Sequence, residues 1–383
     1  MSVRNIYYFV RNDKENKNDI GFFKKFYGQI AAFRREGNVH FIHFRDRAVV
    51  VEYFEFNSDV EPELKIIRRF RSKLAAQLLF YYEILKFIGT NRVDVLYFRY
   101  KISEPVFLRF LSAVRKKNPD SLLFSEFPTF PYDENWKQES MLKKIFLPVD
   151  RFFRKFLKHY VNFAVTYYDA ESIYGIETIR ISNAVDVHSV ELKRKNEPDD
   201  AFIIIGVAGL GFWHGYDRII KGIAEYNRKA PSLEAFFYIV GDGREKNNLE
   251  CLADQLNVND YVLFFGPLTG DKLDELFDKS HIGVNTIGWH RMGVTGNDTL
   301  KAREYCARGL PFITSGHDHD FGDDFKYVFR VGEDDTPVDV GKVIDYYEVI
   351  NNSDFSSIMR DVAVKKLSWY SQMGKVIEKF GDL

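Results

Sequence analysis

Along the chain, short continuous apolar runs alternate with longer stretches in which apolar residues recur every three or four positions. "RNIYYFV" precedes "GFFKKFYGQIAAFRREG" and "VHFIHF"; a helical block over about residues 65–88 then precedes "VDVLYFRY". Continuous apolar runs suit strands buried on both faces, and the periodic stretches suit the helices that cover them, so the alternation predicts a parallel α/β sheet. The pattern continues with "SEPVFLRFLSAVRKKNP" as a helix, "SLLFSEF" as a strand, a long helical stretch over about 140–161, and strands in "FAVTYY" and "IRISNAV".

Residues 187–200, "VHSVELKRKNEPDD", break this rhythm with charge, a proline and little apolar content, and then a second series starts afresh. It reads as strand "AFIIIGVAG", helix "YDRIIKGIAEYNRKA", strand "EAFFYIVGDG", helix "EKNNLECLADQLN", strand "YVLFFG", helix "DKLDELFDKS", strand "HIGVNTI", helix "TLKAREYCAR" and strand "LPFITSG". The expected organisation is therefore an α/β domain over 1–186, a linker over 187–200, a second α/β domain over 201–365 and a closing helix over 366–383. A chain of 383 residues fits two domains of ordinary size. Two parallel sheets in tandem would face each other across a cleft lined by the carboxyl ends of their strands, where ligands of such sheets bind.

Composition narrows the function by exclusion. With 54 Lys+Arg against 55 Asp+Glu there is no global field to select nucleic acid, which is not expected as a partner. The two cysteines, Cys251 and Cys306, have no metal-ligand spacing and no disulfide frame, which points to a reducing, cytoplasmic setting with neither metal nor cofactor. The longest apolar run, "AFIIIGVAGLGFW", falls short of the roughly 18 to 20 residues of a membrane span.

Candidate chemistry gathers at the strand ends of the second series. "GLGFWHG" (Gly209, Gly211, His214, Gly215) follows a strand and opens a helix, so its small residues and free helix N–H groups suit a phosphate. Its glycine spacing is not the dinucleotide G-x-G-x-x-G, and an ordinary strand-to-helix turn accounts for it equally. Gly241 and Gly243 in "VGDG", with Phe265 and Gly266 in "YVLFFGPL", end the next two strands and suit a slot for a planar base, or else simple tight turns. In "GNDTLKAREYCARG", capping by Asp298 or Thr299 turns Ala302, Tyr305 and Cys306 to the core and Lys301, Glu304 and Arg308 away from it. Glu304 is then either half of a surface pair with Arg308 or a carboxylate held out to the hydroxyls of a ribose.

Taken together, these motifs resemble glycosyltransferase family 4, retaining enzymes of the GT-B fold that use nucleotide sugars. "TIRISNAVD" resembles the family's I-P-N-G-V-D. "VGDG" followed by "LADQLNVNDYVLFFGPL" resembles its G-x-G and following V-x-F-x-G segment, and "LKAREYCARGLPFI" its E-A-x-A-x-G-x-P-V-I segment. The tail "VKKLSWYSQMGKVIEKF" resembles the helix that crosses back to pack on the first domain. The resemblance implies a fold of two Rossmann-like parallel-sheet domains. It implies a donor linked to UDP or GDP, with Glu304 on the ribose and the diphosphate held at helix N-termini over 211–215 and 296–299 (Gly296, Asn297, Asp298, Thr299), beside Leu300 and assisted by His214 and Lys301. The chain departs from the family at Gly296, where a second Glu is usual, at Ala184, and at Gly209 and His214, where Arg and Lys are usual.

In the first domain, Glu126 of "SEFPTFPYDEN" is expected to face the acceptor hydroxyl, beside Pro128 and Phe130, with Arg99 and Gly21 also on the acceptor side. Two stretches, "KIIRRFRSKLAAQLLFYY" and "LKKIFLPVDRFFRKFLKHY", interleave cations with aromatic and aliphatic residues. They suit an anionic membrane surface, or core-packed helices with snorkelled cations. The expected function is sugar transfer with retention to a glycan or lipid-linked sugar at the inner face of the plasma membrane, in bacterial capsular or exopolysaccharide synthesis. The rivals are a non-catalytic nucleotide-sugar-binding homologue and, more remotely, a nicotinamide-dependent oxidoreductase.

Overall fold

The computed structural model describes residues 3–16, 19–131, 133, 146–194, 201–293, 298–351 and 354–382. The chain divides into two compact units, one of residues 1–182 with 369–383, the other of residues 183–368.

The first unit is built on a sheet of nine strands among the described residues, in the order β4-β3-β2-β1-β5-β6-β7-β9-β8. Its elements are β1 (Arg4–Asp13), α1 (Ile20–Phe33), β2 (Gly37–Arg45), β3 (Ala48–Phe54), β4 (Glu63–Arg69), α2 (Lys73–Ile88), β5 (Val95–Arg99), α3 (Pro105–Lys117), β6 (Leu122–Phe127), α4 (Phe146–Phe153), β7 (Phe163–Thr166), β8 (Ser172–Ile173) and β9 (Ile176–Arg180). The strands β2, β1, β5, β6, β7 and β9 run parallel. Ile6 to Val10 of β1 are all buried because helices cover both faces of the sheet. Tyr8 meets Phe26 and Phe33 of α1 on one side, while Phe9 meets Phe80 and Tyr81 of α2 and Phe110 of α3 on the other.

Two expectations fail here. The helical block expected over 65–88 is divided: β4 occupies its beginning, and α2 starts at Lys73, where Ser72 Oγ accepts the Ala75 N–H at 3.2 Å. β3, absent from the expected elements, supplies the antiparallel partner that draws "ELKIIRR" into a strand. The helix expected over 140–161 is, within the described residues, α4 followed by a 3-10 turn, Arg154–His159.

The second unit has six parallel strands among the described residues, in the order β12-β11-β10-β13-β14-β15. They are β10 (Ala201–Val207), β11 (Glu234–Val240), β12 (Val262–Gly266), β13 (Ile282–Val284), β14 (Phe312–Ser315) and β15 (Val328–Val331). The helices are α5 (Tyr216–Asn227), α6 (Lys246–Leu256), α7 (Asp271–Lys279), α8 (Leu300–Arg308), α9 (Val340–Ile350) and α10 (Phe355–Val362).

The tail is not one helix. A π-helical turn over Ala363–Leu367 ends at Ser368, which is extended, and Val185 N–H donates to the Leu367 carbonyl at 2.9 Å. α11 (Trp369–Ile377) follows and packs on α1 within the first unit. Gly28 makes this approach possible, since a Cβ there would lie 2.1 Å from the Trp369 ring. No helix among the described residues is long and apolar enough to cross a membrane.

Candidate active site

The second sheet reverses direction between β10 and β13: the chain winds outward from β10 through β11 and β12, and the other way from β13 through β14 and β15. Segments leaving the two neighbouring strands part there and open a crevice at the carboxyl edge. They are residues 208–215, which lead into α5, and, among the described residues, 285–293 and 298–299, which precede α8.

The first segment is tightly packed. It makes a 3-10 turn at Phe212–His214 and enters α5 through Gly215 at φ 71°, where a Cβ would lie 2.7 Å from Ile287. Gly241, with φ 128°, abuts the Ala208 carbonyl, and a Cβ there would lie 1.9 Å from its oxygen. Gly211 and Gly243 are held as closely by Trp213 and Leu210, so the neighbouring chain accounts for these four glycines. Gly209 differs, because the nearest atom to a Cβ there is the Asp242 carbonyl oxygen at 4.0 Å, leaving room for a ligand. Phe265 and Gly266 end β12, two strands from β10; Phe265 rests against Tyr238, and the Gly266 carbonyl accepts the Gly241 N–H at 2.8 Å.

The second segment pins the start of α8. Thr299 is its cap: Oγ1 accepts the Ala302 N–H at 3.3 Å and donates to Asn285 Oδ1, while Asn285 Nδ2 donates to Thr314 Oγ1 at 3.1 Å. The helix N-terminus is thereby fixed to the ends of β13 and β14. The Asp298 carbonyl accepts from Asn183 Nδ2 at 2.8 Å, Leu300 is exposed, and Gly296 and Asn297 lie outside the described residues.

Lys301 and Glu304 share one strip of α8, three residues and about 4.5 Å apart along the axis. Among the described residues, buried Lys301 Nζ has no hydrogen-bond partner; it lies 5.5 Å from the ring centroid of Tyr216, whose own buried hydroxyl also lacks one. Burial draws the Lys301 ammonium down to about 7. The His214 imidazole is brought near it, and burial, then the charge of Lys301, lower it to about 3 against the opposing bond with Gly211. His214 Nδ1 lies 3.1 Å from the Gly211 nitrogen and 3.2 Å from its carbonyl oxygen, so it either accepts the Gly211 N–H, with the ring proton on Nε2, or donates to the Gly211 carbonyl. An ammonium with no hydrogen-bond partner among the described residues and a helix N-terminus together favour an anion.

Glu304 does pair with Arg308, accepting from Nε at 3.1 Å and Nη2 at 3.0 Å, both on Oε1. Arg308 is not outward-facing as expected: it is buried, bonded to Asp274 at 2.6 Å and stacked 4.1 Å from the Phe277 ring, because α7 offers it a carboxylate and an aromatic face. With Asp274 to satisfy Arg308, Glu304 keeps 36% of its side chain exposed and is free to serve a ligand.

Three arginines not singled out as candidates in the sequence hold the surrounding segments together. Buried Arg218 donates to the Ile287, Gly332 and Thr336 carbonyls, and Arg291 binds Asp217 through both terminal nitrogens at 2.9 Å as well as the Phe212 carbonyl at 2.7 Å. Together they tie the two crevice segments to α5. Arg303, fully buried, gathers Asp318, Asp320 and Asp298 and donates to the Asn183 carbonyl at 3.2 Å.

In the first unit the expectation for Glu126 is corrected. Its side chain is completely buried at the end of β6, with no surface open to an acceptor. Arg99 at 2.7 Å and Lys25 at 3.3 Å share its Oε1, and Gln29 and Tyr97, each at 2.8 Å, donate to Oε2. Burial pushes this carboxyl up, but the two cations and the hydrogen bonds outweigh it and leave it at about 2. Gly21, expected on the acceptor side, lies in the first turn of α1. Pro128 and Phe130 are half-buried, and Phe130 packs edge-on against Tyr174.

Two α/β units on parallel sheets, the second with its crevice at the reversal point, define the GT-B class, and solved structures share the fold along the whole chain. A glycosyltransferase from Rickettsia africae is 13% identical with a TM-score of 0.61, covering 100% of this chain and 99% of that one. Sucrose-phosphate synthase from Thermosynechococcus elongatus is 13% identical with a TM-score of 0.57, covering 99% of each chain. Anabaena HepE, solved in complex with UDP and glucose, is 12% identical with a TM-score of 0.57, again covering 99% of each. No curated protein matches the sequence. Residues 189–319, which hold the crevice, match the family model described as glycosyl transferases group 1.

Proposed function

We propose that the protein is a retaining glycosyltransferase of family 4 that moves a sugar from a UDP- or GDP-linked donor to a glycan or lipid-linked sugar acceptor. It would do so in bacterial capsular or exopolysaccharide synthesis, at the inner face of the plasma membrane. The observation that carries the reading is the buried Lys301 ammonium at the N-terminus of α8, without a hydrogen-bond partner among the described residues, beside His214 and one turn from Glu304. Breaking the donor's glycosidic bond leaves negative charge on the departing diphosphate. Fixed donors aimed at that charge lower the barrier: Lys301 Nζ, the free N–H groups of α8 and, in the tautomer whose Nδ1 accepts from Gly211, the Nε2–H of His214. In this reading Lys301 supplies, from another helix, a charge of the kind the family usually places where Gly209 and His214 stand here. Glu304 accepts from the ribose hydroxyls. Arg99 lies on the acceptor side, with Glu126 beneath it as its anchor.

Calorimetric titration of UDP and GDP into the wild type and Lys301→Met tests this. Charge-assisted hydrogen bonds contribute about 1.5 to 3 kcal/mol, so the variant should bind the preferred diphosphate roughly tenfold to a hundredfold more weakly, with a smaller loss for the monophosphate. Equal affinity in the two proteins would remove the diphosphate from this crevice. Turnover of a nucleotide-sugar panel then separates an enzyme from a binding homologue.

A further inference from the structure

The outward face of α2 is anomalous for a helix against water. Its inner face is conventional, with Ala76, Phe80, Ile84 and Ile88 buried in the core. Outward, Leu74 and Leu78 are each 66% exposed and Tyr82 58%, and Lys86 continues the same strip at intervals of four residues. A contiguous exposed apolar strip marks a surface that something covers.

The charges indicate what covers it. The one acidic residue of α2, Glu83, is buried and paired with Arg68 at 3.0 Å, so the exposed surface of the helix carries no negative charge. Arg71 and Lys73 stand at one end of the strip and Lys86 at the other; among the described residues Arg71 and Lys86 have no ion-pair partner, and Lys73 is 3.8 Å from Asp13. A second copy of the chain packed on this strip about a two-fold axis would set cation against cation at both ends. The interleaved stretch that contains α4 contributes less charge than its sequence suggests, since Arg151 and Arg154 are engaged by Asp133 and Asp150. Even so, Phe152 is 57% exposed on that helix, and Asp150 ties it to Ser103, at the start of α3. Arg11 ties the same start to α2, bonding Glu104 at 3.5 Å and the Gln77 carbonyl at 3.5 Å.

We infer that the outward face of α2, flanked by α4, is a docking surface for a bilayer with anionic headgroups, the leucines and tyrosine entering the acyl boundary while Arg71, Lys73 and Lys86 meet lipid phosphates. A helix with apolar residues in line and cations at its ends lies flat in such an interface. The surface is independent of the proposed transfer chemistry.

Sedimentation of the full chain with phosphatidylcholine vesicles, with and without phosphatidylglycerol, tests it. The wild type should pellet with the phosphatidylglycerol vesicles at low salt and be released at high salt. Leu74→Ser/Leu78→Ser/Tyr82→Ser should bind them about tenfold or more weakly, and Arg71→Gln/Lys73→Gln/Lys86→Gln should lose the preference for phosphatidylglycerol. Circular dichroism and UDP titration of the same samples report folding and the second unit's site separately, so failure of the surface and failure of the crevice are distinguishable. Wild type left in the supernatant, or variants that pellet as it does, overturns the inference. So does a concentration-dependent dimer that Leu78→Ser dissolves with no vesicle binding in either protein, which would assign the strip to a second copy.

Discussion

Lys301 Nζ sits 5.5 Å from the ring centroid of Tyr216, and neither the ammonium nor the Tyr216 hydroxyl has a hydrogen-bond partner among the described residues. Natural interiors rarely leave two polar groups unsatisfied side by side, because each costs about 1 to 3 kcal/mol. Sites that await a ligand are where such costs persist, since the ligand removes them on binding.

Lys301→Met should therefore stabilise the empty protein while it weakens nucleotide binding. The expected gain is about 1 to 3 kcal/mol near neutral pH, a rise of several degrees in the melting temperature of the second unit. Its pH dependence follows from the shift: the folded ammonium titrates at about 7 against an ordinary 10.5, so the unfolded chain holds the proton more tightly. Wild-type stability should rise with pH across that window, and the Met variant should lack this part of the slope. Thermal unfolding of both proteins from pH 7 to 10 checks it; parallel curves would mean that Lys301 is solvated.

A diphosphate beside that ammonium must draw its proton affinity back up. Binding UDP, or GDP if that is the preferred nucleotide, should take up close to one proton at pH 8, where Lys301 is mostly neutral, and almost none at pH 6, where it is already charged. Titration calorimetry in two buffers of different ionisation enthalpy reads the uptake directly. An enthalpy independent of buffer at pH 8 is the contrary result.

Glu304 is held to Arg308, but Asp274 also binds that guanidinium at 2.6 Å, so Glu304→Ala leaves Arg308 paired. Stability should change by only about 0.2 to 0.5 kcal/mol. Affinity for the nucleoside diphosphate should fall roughly tenfold to a hundredfold, and the wild type's preference for UDP over 2′-deoxy-UDP should shrink with it. A variant that still discriminates between them would place the ribose elsewhere.

The sequence pattern locates β10 to β14 because each is a continuous apolar run followed by a turn residue, and it places the start of α8 because Thr299 is a capping type. What escapes it depends on contacts distant in sequence. β4 is a strand because β3 pairs with it, although its own residues are charged and mostly exposed. Arg308 turns inward because α7 presents Asp274 and Phe277, and nothing within α8 announces that. Lys301 reads as an outward lysine, and its isolation follows from Tyr216, 85 residues away, so the unpaired charge becomes visible only in three dimensions.

Glu126 was expected to meet an acceptor, yet its carboxylate is enclosed by Arg99, Lys25, Gln29 and Tyr97, so its substitution should act first on stability. Glu126→Gln removes the charge that Lys25 and Arg99 share, and breaking a buried pair from one side costs about 3 to 5 kcal/mol. The first unit should melt at a markedly lower temperature, while UDP affinity of the folded variant, set by the second unit, stays unchanged. Two pH effects identify the cause. In the wild type the folded carboxyl titrates at about 2 against an ordinary 4.5, so its stabilisation is complete above about 4.5 and is lost as pH falls through about 2; the Gln variant lacks that acid limb. Lys25, which burial already lowers to about 8 against the opposing pull of Glu126, would fall further in the variant and shed its proton nearer neutrality. The deficit of Glu126→Gln should thus narrow as pH rises from 6 to 9, which thermal unfolding across that range measures. A variant that melts with the wild type but fails to transfer sugar would return Glu126 to a place beside the acceptor.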